Sequence, residues 1–269
     1  MIQGIDQGYS SPFDALAPTF DDEDENNFVI KHVRPIFWQC AMRHFKQGDH
    51  VLELNCGTGI DAIHFAKQGI RVTALDASMK MINIAREKAG KLGLNNLLTF
   101  HQLNTENLEL LEHEPFDGTY SNFGGLNCVP GMPHLFPKLH KLLKPKSYLI
   151  YCVLNRYSPW EMISYLLQAK FNAARRRLIR EGVIANVGGE KIHVWYYSPS
   201  EYSEMCASQF EMKKITGLNI FSPNPNSLAF ARKFPGLTKK LLQFDDNLID
   251  SFPFYNFGDH FIIEAERKD

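Results

Sequence analysis

Apolar positions along the chain come in three textures. In the middle they form short runs at residues 50–55, 70–76, 97–103, 116–122 and 147–154, each bounded by turn residues. Runs of this kind suit strands buried on both faces of a parallel sheet. Between them the period becomes helical. Ser78 is placed to cap a helix carrying Ile82, Ala85, Ala89 and Leu92, which Gly93 ends. Leu135, Leu139, Leu142 and Leu143 form a second apolar face before Pro145. Strand and helix alternating over residues 50–154 predict an α/β fold, a doubly wound and mostly parallel sheet.

The flanks read differently. Residues 1–49 are polar and turn-rich, with five consecutive acids, Asp21 to Glu25, that read as solvated loop; a helix is predicted over 27–45. Ser158-Pro159-Trp160-Glu161 has the form of a capping box. It opens a predicted helix with Ile163, Leu167, Phe171, Ala174 and Leu178 on one face. Ser198-Pro199-Ser200-Glu201 repeats the signal for a helix to residue 208. Strands are expected at 211–216 and 259–266, and a helix near 237–249. The expected organisation is one domain, 1–269. It has an N-terminal cap (1–49), a core (50–154), a helical lid insertion (155–205) and final strands (206–269) with an insertion at 221–258.

Composition narrows the classes. With 44% hydrophobic and 22% charged residues the chain is ordinary globular protein, not disordered. Its 29 basic and 30 acidic residues leave a net charge of −1, so neither nucleic acid nor a membrane is an expected partner. The longest apolar run, Tyr148–Leu154, falls short of the roughly 20 residues a spanning helix needs. Met1–Ser10 has neither the basic nor the apolar stretch of a secretory signal. Cysteines 40, 56, 128, 152 and 206 are scattered, without zinc spacing. No metal and no disulfide framework is expected, and the reducing cytoplasm is the simplest location.

The most informative segment runs from His50 to Asp61, a strand leading through Gly57 and Gly59 into a helix. Glycines at that junction let the backbone approach a ligand, and the helix N-terminus behind them offers free N–H groups. Asp76 ends the second strand, 19 residues after Gly57, where a carboxylate can accept both hydroxyls of an adenosine ribose. Gly57-x-Gly59-x-x-Ala62 also fits a dinucleotide fingerprint. Glu53, just before the loop, is poorly placed beside a pyrophosphate and well placed for fixing the loop or for a cationic amino group.

These residues resemble a known family. Val51 to Gly59 looks like motif I of the class I S-adenosylmethionine-dependent methyltransferases, Val72 to Ser78 like motif II, and Phe116 to Asn122 like motif IV. Phe13-Asp14 through Phe20-Asp21 resembles the N-terminal segment of small-molecule members. The resemblance implies a seven-stranded Rossmann-like sheet with S-adenosylmethionine as cofactor and S-adenosylhomocysteine as product. It implies that Glu53, Asn55, Gly57 and Gly59 surround the methionine portion and Asp76 holds the ribose. Ala77 and Met79 would flank the adenine, Asn104 and Thr105 would meet its edge, Asn122 and Phe123 would face the amino group, and Phe20 would close the site. Asn55 stands where the first glycine of motif I is usual, and Asn104 where aspartate is usual.

Methyl transfer from a sulfonium is an in-line displacement, so the protein mainly positions the acceptor; a base matters only if a proton must leave. Candidate bases are His134 and His260, the latter beside Asp259, with His193 a further histidine near the presumed pocket mouth. Asn127, Trp160, Arg176 and Tyr197 are the expected acceptor contacts. The basic cluster Arg175–Arg177 with Arg180 reads either as a solvated helix face or as an anchor for an anionic group. Cys128 reads as a small buried hydrophobe. The expectation is an enzyme, monomer or homodimer, methylating a small hydrophobic or aromatic acceptor. The alternatives are an S-adenosylmethionine-binding protein with lost or non-methyl chemistry, and a nicotinamide-dependent oxidoreductase.

Overall fold

Each apolar run of the middle segment is a strand: β1 (His50–Leu54), β2 (Arg71–Asp76), β3 (Leu98–Gln102), β4 (Phe116–Ser121) and β5 (Leu143–Leu154). The computed structural model describes residues 11–111 and 114–269; the reading of Met1–Ser10 as lacking a secretory signal lies outside them. Further along come β6 (Val183–Val187), β7 (Glu190–Val194), β8 (Phe210–Leu218) and β9 (His260–Arg267). The main sheet has seven strands in the order β3-β2-β1-β4-β5-β9-β8. All run parallel except β9, which lies antiparallel between β5 and β8. The winding reverses between β1 and β4, which opens a crevice at the carboxyl ends of those strands.

Helices cover both faces. α1 (Phe20–Glu25) leads into α2 (Phe28–Met42), and α2, α3 (Ile60–Lys67) and α4 (Met79–Lys91) bury Phe37, Phe65, Ile82 and Ala85 on one face. α5 (Leu135–Leu142) and the helix Pro199–Cys206 bury Phe136, Leu139 and Tyr202 on the other. Ser78 caps α4 by accepting from the Met81 N–H (3.1 Å).

The cover departs from the sequence reading at four points. The acid run is not a solvated loop but α1: Asp21 bonds Thr58 and Lys88, and Asp24 pairs with Arg34, so the acids pin the cap to the core. Ser158 makes no side-chain cap, because its hydroxyl faces Asp259, and the Glu161 carboxylate is taken by two arginines. The long helix predicted from there is broken. α6 (Pro159–Leu167) stops, Ala169 takes a φ of 57°, and α7 (Phe171–Ala174) and a 3-10 turn at Arg176–Leu178 follow, leaving Ile163, Leu167 and Phe171 exposed. The insertion is also not wholly helical: β6 and β7 form a hairpin whose two-residue turn, Gly188 and Gly189, has φ of 61° and 91°. That left-handed pair matches strand twist.

The helix Pro199–Cys206, α8, does carry the reciprocal Ser198–Glu201 capping box. Residues 221–258 hold α9 (Leu228–Lys233) and α10 (Pro235–Asp246) where one helix is predicted. No helix among the described residues is long and apolar enough to cross a membrane.

Candidate functional site

At the crevice, a cavity of about 260 Å³ is lined by Phe20, Asn55, Gly57, Asp76, Ala77, Met81, Asn104, Thr105, Asn122 and Phe123, among others. Asp76 ends β2 with its carboxylate held by two backbone donors, Gly57 N–H to Oδ2 and Ser78 N–H to Oδ1, both 2.8 Å. Each oxygen keeps a lone pair for a ligand hydroxyl. Burial pushes the Asp76 carboxyl up, and these N–H bonds oppose it. Asn55 adopts φ 57°, a left-handed conformation that asparagine tolerates where glycine would otherwise serve. Gly57 has φ 54°, a left-handed conformation that favours glycine, and its Cα faces the Phe20 ring.

Glu53 lies buried beneath the loop. Its Oε2 has no hydrogen-bond partner, and burial followed by the nearby Asp61 charge holds its carboxyl well above the usual range. Asn122 is fixed from behind: its Nδ2 donates to Asp61 (3.1 Å), which takes a bidentate pair from Arg34 (2.8 Å each) and the Trp38 Nε1–H (2.7 Å). The set offers a carboxylate for vicinal hydroxyls and apolar Phe20, Met81 and Phe123 for a flat ring; Glu53, the expected partner of a cation, lies behind the cavity wall and does not line it. The lining residues fit a ribosyl-adenine.

Several expected contacts fall elsewhere. Gly59 does not line the cavity; its Cα faces Ala85 and Phe100, where a Cβ would come within 3.0 Å, so it serves helix packing. Met79 is exposed at the start of α4, and Met81, two residues on, takes its place in the lining. Asn127 is fully buried with its amide spent on Leu154 and Trp195 carbonyls and the Leu154 N–H, a splint rather than a substrate contact. Tyr197 packs into the core against Tyr202, and its neighbour Tyr196 faces a cavity instead. With Lys138, His134 lines an adjoining groove that shares Thr105, Glu106, Val129 and Pro130 with the small cavity. His193 stacks on Trp195 and bonds the Glu181 carbonyl. Sequence reasoning also missed Phe13, Cys128 and Ile192 in the cavity wall; burial pushes the Cys128 thiol up to about 11.

A second, larger cavity of about 1060 Å³ lies under the cover. Its wall includes Trp160, Tyr165, Tyr196, Phe230 and Ile220, with Glu161 and Arg176 as its charged members. The hairpin stands between the two spaces: Ile192 lines the smaller, while Ala185, Val187 and Val194 line the larger. The basic cluster of the sequence splits. Arg177 is 2% exposed and bonds Glu161 (2.7 Å), Asp259 (2.6 Å) and the Asn155 carbonyl (2.9 Å). Arg176 bonds the other Glu161 oxygen (2.8 Å) and stays on the cavity wall. His260 pairs through Nδ1 with Asp259 (2.9 Å), is buried, and lies edge-on to Phe123. Among the described residues no group of three or more His, Cys, Asp or Glu side chains is placed to hold a metal.

Comparison with known proteins agrees with this geometry. Residues 51–146 match the family described as a methyltransferase domain. An uncharacterized protein of Methanocaldococcus jannaschii is 27% identical over 220 residues, 79% of this chain and 80% of its own length. A ubiquinone biosynthesis O-methyltransferase of Erwinia tasmaniensis is 26% identical over 195 residues, 68% of this chain and 77% of that protein. Among solved structures, a chain from the complex between the Haloferax volcanii Trm112 methyltransferase activator and its methyltransferase superimposes with a TM-score of 0.61 at 18% identity. That match covers 95% of each chain.

Proposed function

We propose that this chain is a class I S-adenosylmethionine-dependent methyltransferase that methylates a small, mainly apolar or aromatic molecule, a reading supported by the methyltransferase-domain match over residues 51–146 and by the Asp76 cavity. The observation that carries this reading is the small cavity; the large one lies across one hairpin and shares none of its lining, so transfer needs the acceptor's reacting end to pass that hairpin. One ends on the Asp76 carboxylate and Gly57; the other is walled by Trp160, Tyr165, Tyr196 and Phe230. Apolar pockets with few polar groups are the usual form of small-molecule sites. A quinone-pathway methyltransferase among the relatives favours the same acceptor class.

When bound, the cofactor supplies an activated methyl group on a sulfonium. The chain's residues do the rest. Asp76, Asn104 and Thr105 hold the nucleoside. Phe20 and Phe123 exclude water, and the aromatic wall aligns the acceptor, which is where most of the rate gain arises. No base is assigned: His260, paired with Asp259 and edge-on to Phe123, is buried and lines neither cavity. His134, in its adjoining groove, is given no role.

The test is calorimetric titration with S-adenosylhomocysteine, followed by transfer of a labelled methyl group to a panel of quinols, phenols and amines. Tight binding and turnover of an apolar hydroxylated acceptor are expected. Binding without turnover on any acceptor would reduce the protein to a cofactor binder. Thermal stabilisation by NADH and not by S-adenosylhomocysteine would overturn the reading.

A further inference from the structure

The apolar wall of the large cavity continues onto the outer surface. Ile163 and Leu167, which line it, are 55% and 83% exposed. The same segment shows Leu166, Phe171 (65%), Leu178, Ile179 and Ile184 (62%) to solvent. Single exposed hydrophobics need no explanation, but these seven fall within residues 163–184, in the piece of cover that frames the cavity. The charges are segregated too. Lys170, Arg175 and Arg180 are exposed in this segment, against one exposed acid, Glu181. Among the described residues none of the three cations has a carboxylate at ion-pairing distance; Lys170 reaches Gln168 and Arg175 reaches Asn172. This is a local surplus of cations in a chain of net charge −1.

Large apolar side chains among unpaired cations match an anionic bilayer surface. The apolar groups enter the boundary between headgroups and acyl chains, and the cations meet lipid phosphates. We propose that residues 163–184 dock the protein on an anionic bilayer surface, so that the large cavity opens toward lipid. Net charge alone speaks against a membrane partner, but net charge averages away the distribution that matters here. A second copy of the chain is the poorer occupant, since two such faces would bring their unpaired cations together. The docking stands apart from the methyl-transfer reading. The acceptor class it implies, an apolar molecule dissolved in the bilayer, rests on that reading.

The experiment is co-sedimentation of the full chain with vesicles of phosphatidylcholine, alone and with phosphatidylglycerol added. Binding to the anionic vesicles, weakened by salt, is expected. The paired reversals Lys170→Glu with Arg175→Glu should lower the bound fraction at limiting lipid on the order of tenfold. Leu166→Glu with Phe171→Glu should do the same. All four residues lie outside both cavities, so circular dichroism and S-adenosylhomocysteine affinity should match wild type. That separates loss of docking from misfolding and from failure of the cofactor reading. Wild-type protein left in the supernatant would overturn the proposal, as would variants that sediment like wild type. So would a dimer in sedimentation velocity that the apolar pair dissociates.

Discussion

Two buried acids, Asp76 in the wall of the cofactor cavity and Glu53 behind it, carry opposite expectations. Asp76 has both oxygens aligned by backbone donors. Asp76→Ala should weaken S-adenosylhomocysteine binding by about 1.5–3 kcal/mol, the worth of charge-assisted bonds to a ligand; calorimetry on the folded variant checks it. Burial raises its pKa and only the ionised form accepts two hydroxyls, so affinity should fall as pH drops through that raised value. Glu53 concerns stability. Burial, then Asp61, hold its carboxyl well above the ordinary range, so the folded protein keeps a proton that the unfolded chain has released. Stability of the free protein therefore falls as pH rises from the usual glutamate range through the raised value. Glu53→Gln should raise the Tm of the ligand-free protein at neutral pH and flatten its pH slope. An unchanged slope in the variant would mean that Glu53 is solvated. Asp76 and Gly57 were legible in sequence because a strand end and a turn fix them. Met79 and Gly59 were misplaced because the side of a helix a residue faces depends on how the helix docks. No spacing encodes that.

At the level of elements, the buried Arg177 ties the cover to β9. Burial pushes the Asp259 carboxyl up, but the Arg177 guanidinium beside it pulls it well below the usual carboxylate range. The stability this contributes is present above the ordinary aspartate pKa and is lost as pH falls through the depressed one. Arg177→Leu strands Glu161 and Asp259 without their shared cation and should cost about 3–5 kcal/mol, read from urea denaturation. A loss near zero would mean that water replaces the guanidinium. This role was hidden in a run of three arginines, which sequence reads alike although one is buried, one lines a cavity and one is exposed. β1 and β2 were legible because most of their buried positions are apolar, whereas β4, with Asp117, Gly118, Thr119 and Ser121, was legible from its place in the strand and helix alternation. The hairpin was not: β6 and β7 expose alternate positions and hold polar Asn186, Lys191 and His193. The apolar face projected over Ile163 to Leu178 assumed an unbroken helix, and Ala169 breaks it.

For the whole molecule, the division of labour between sheet and cover should separate in kinetics. Trp160→Ala and Tyr196→Ala remove wall from the large cavity and touch nothing in the small one. Each should raise KM for an apolar acceptor on the order of tenfold, at about 1–3 kcal/mol for lost aromatic burial, with S-adenosylhomocysteine affinity unchanged. A matching loss of product affinity would instead show the two cavities acting as one. The separation has a root in how the chain enters and leaves the cover. The ends of β5 and β8 and the start of β9 meet at one corner of the sheet. There the Asn155 N–H donates to the Asp259 carbonyl (2.9 Å) and the Asp259 N–H to the Leu218 carbonyl (2.8 Å). Closing a loop between neighbouring strand ends costs little more for a long insert than for a short one. The acceptor chamber is thus an exchangeable part. Lengthening, trimming or replacing the segments grafted at that corner would retune what the protein methylates and which surface it works on. β1, which leads into Gly57, and β2, which ends on Asp76, lie two and three places from β5 in the sheet, and only Ile192 of the insert reaches their cavity.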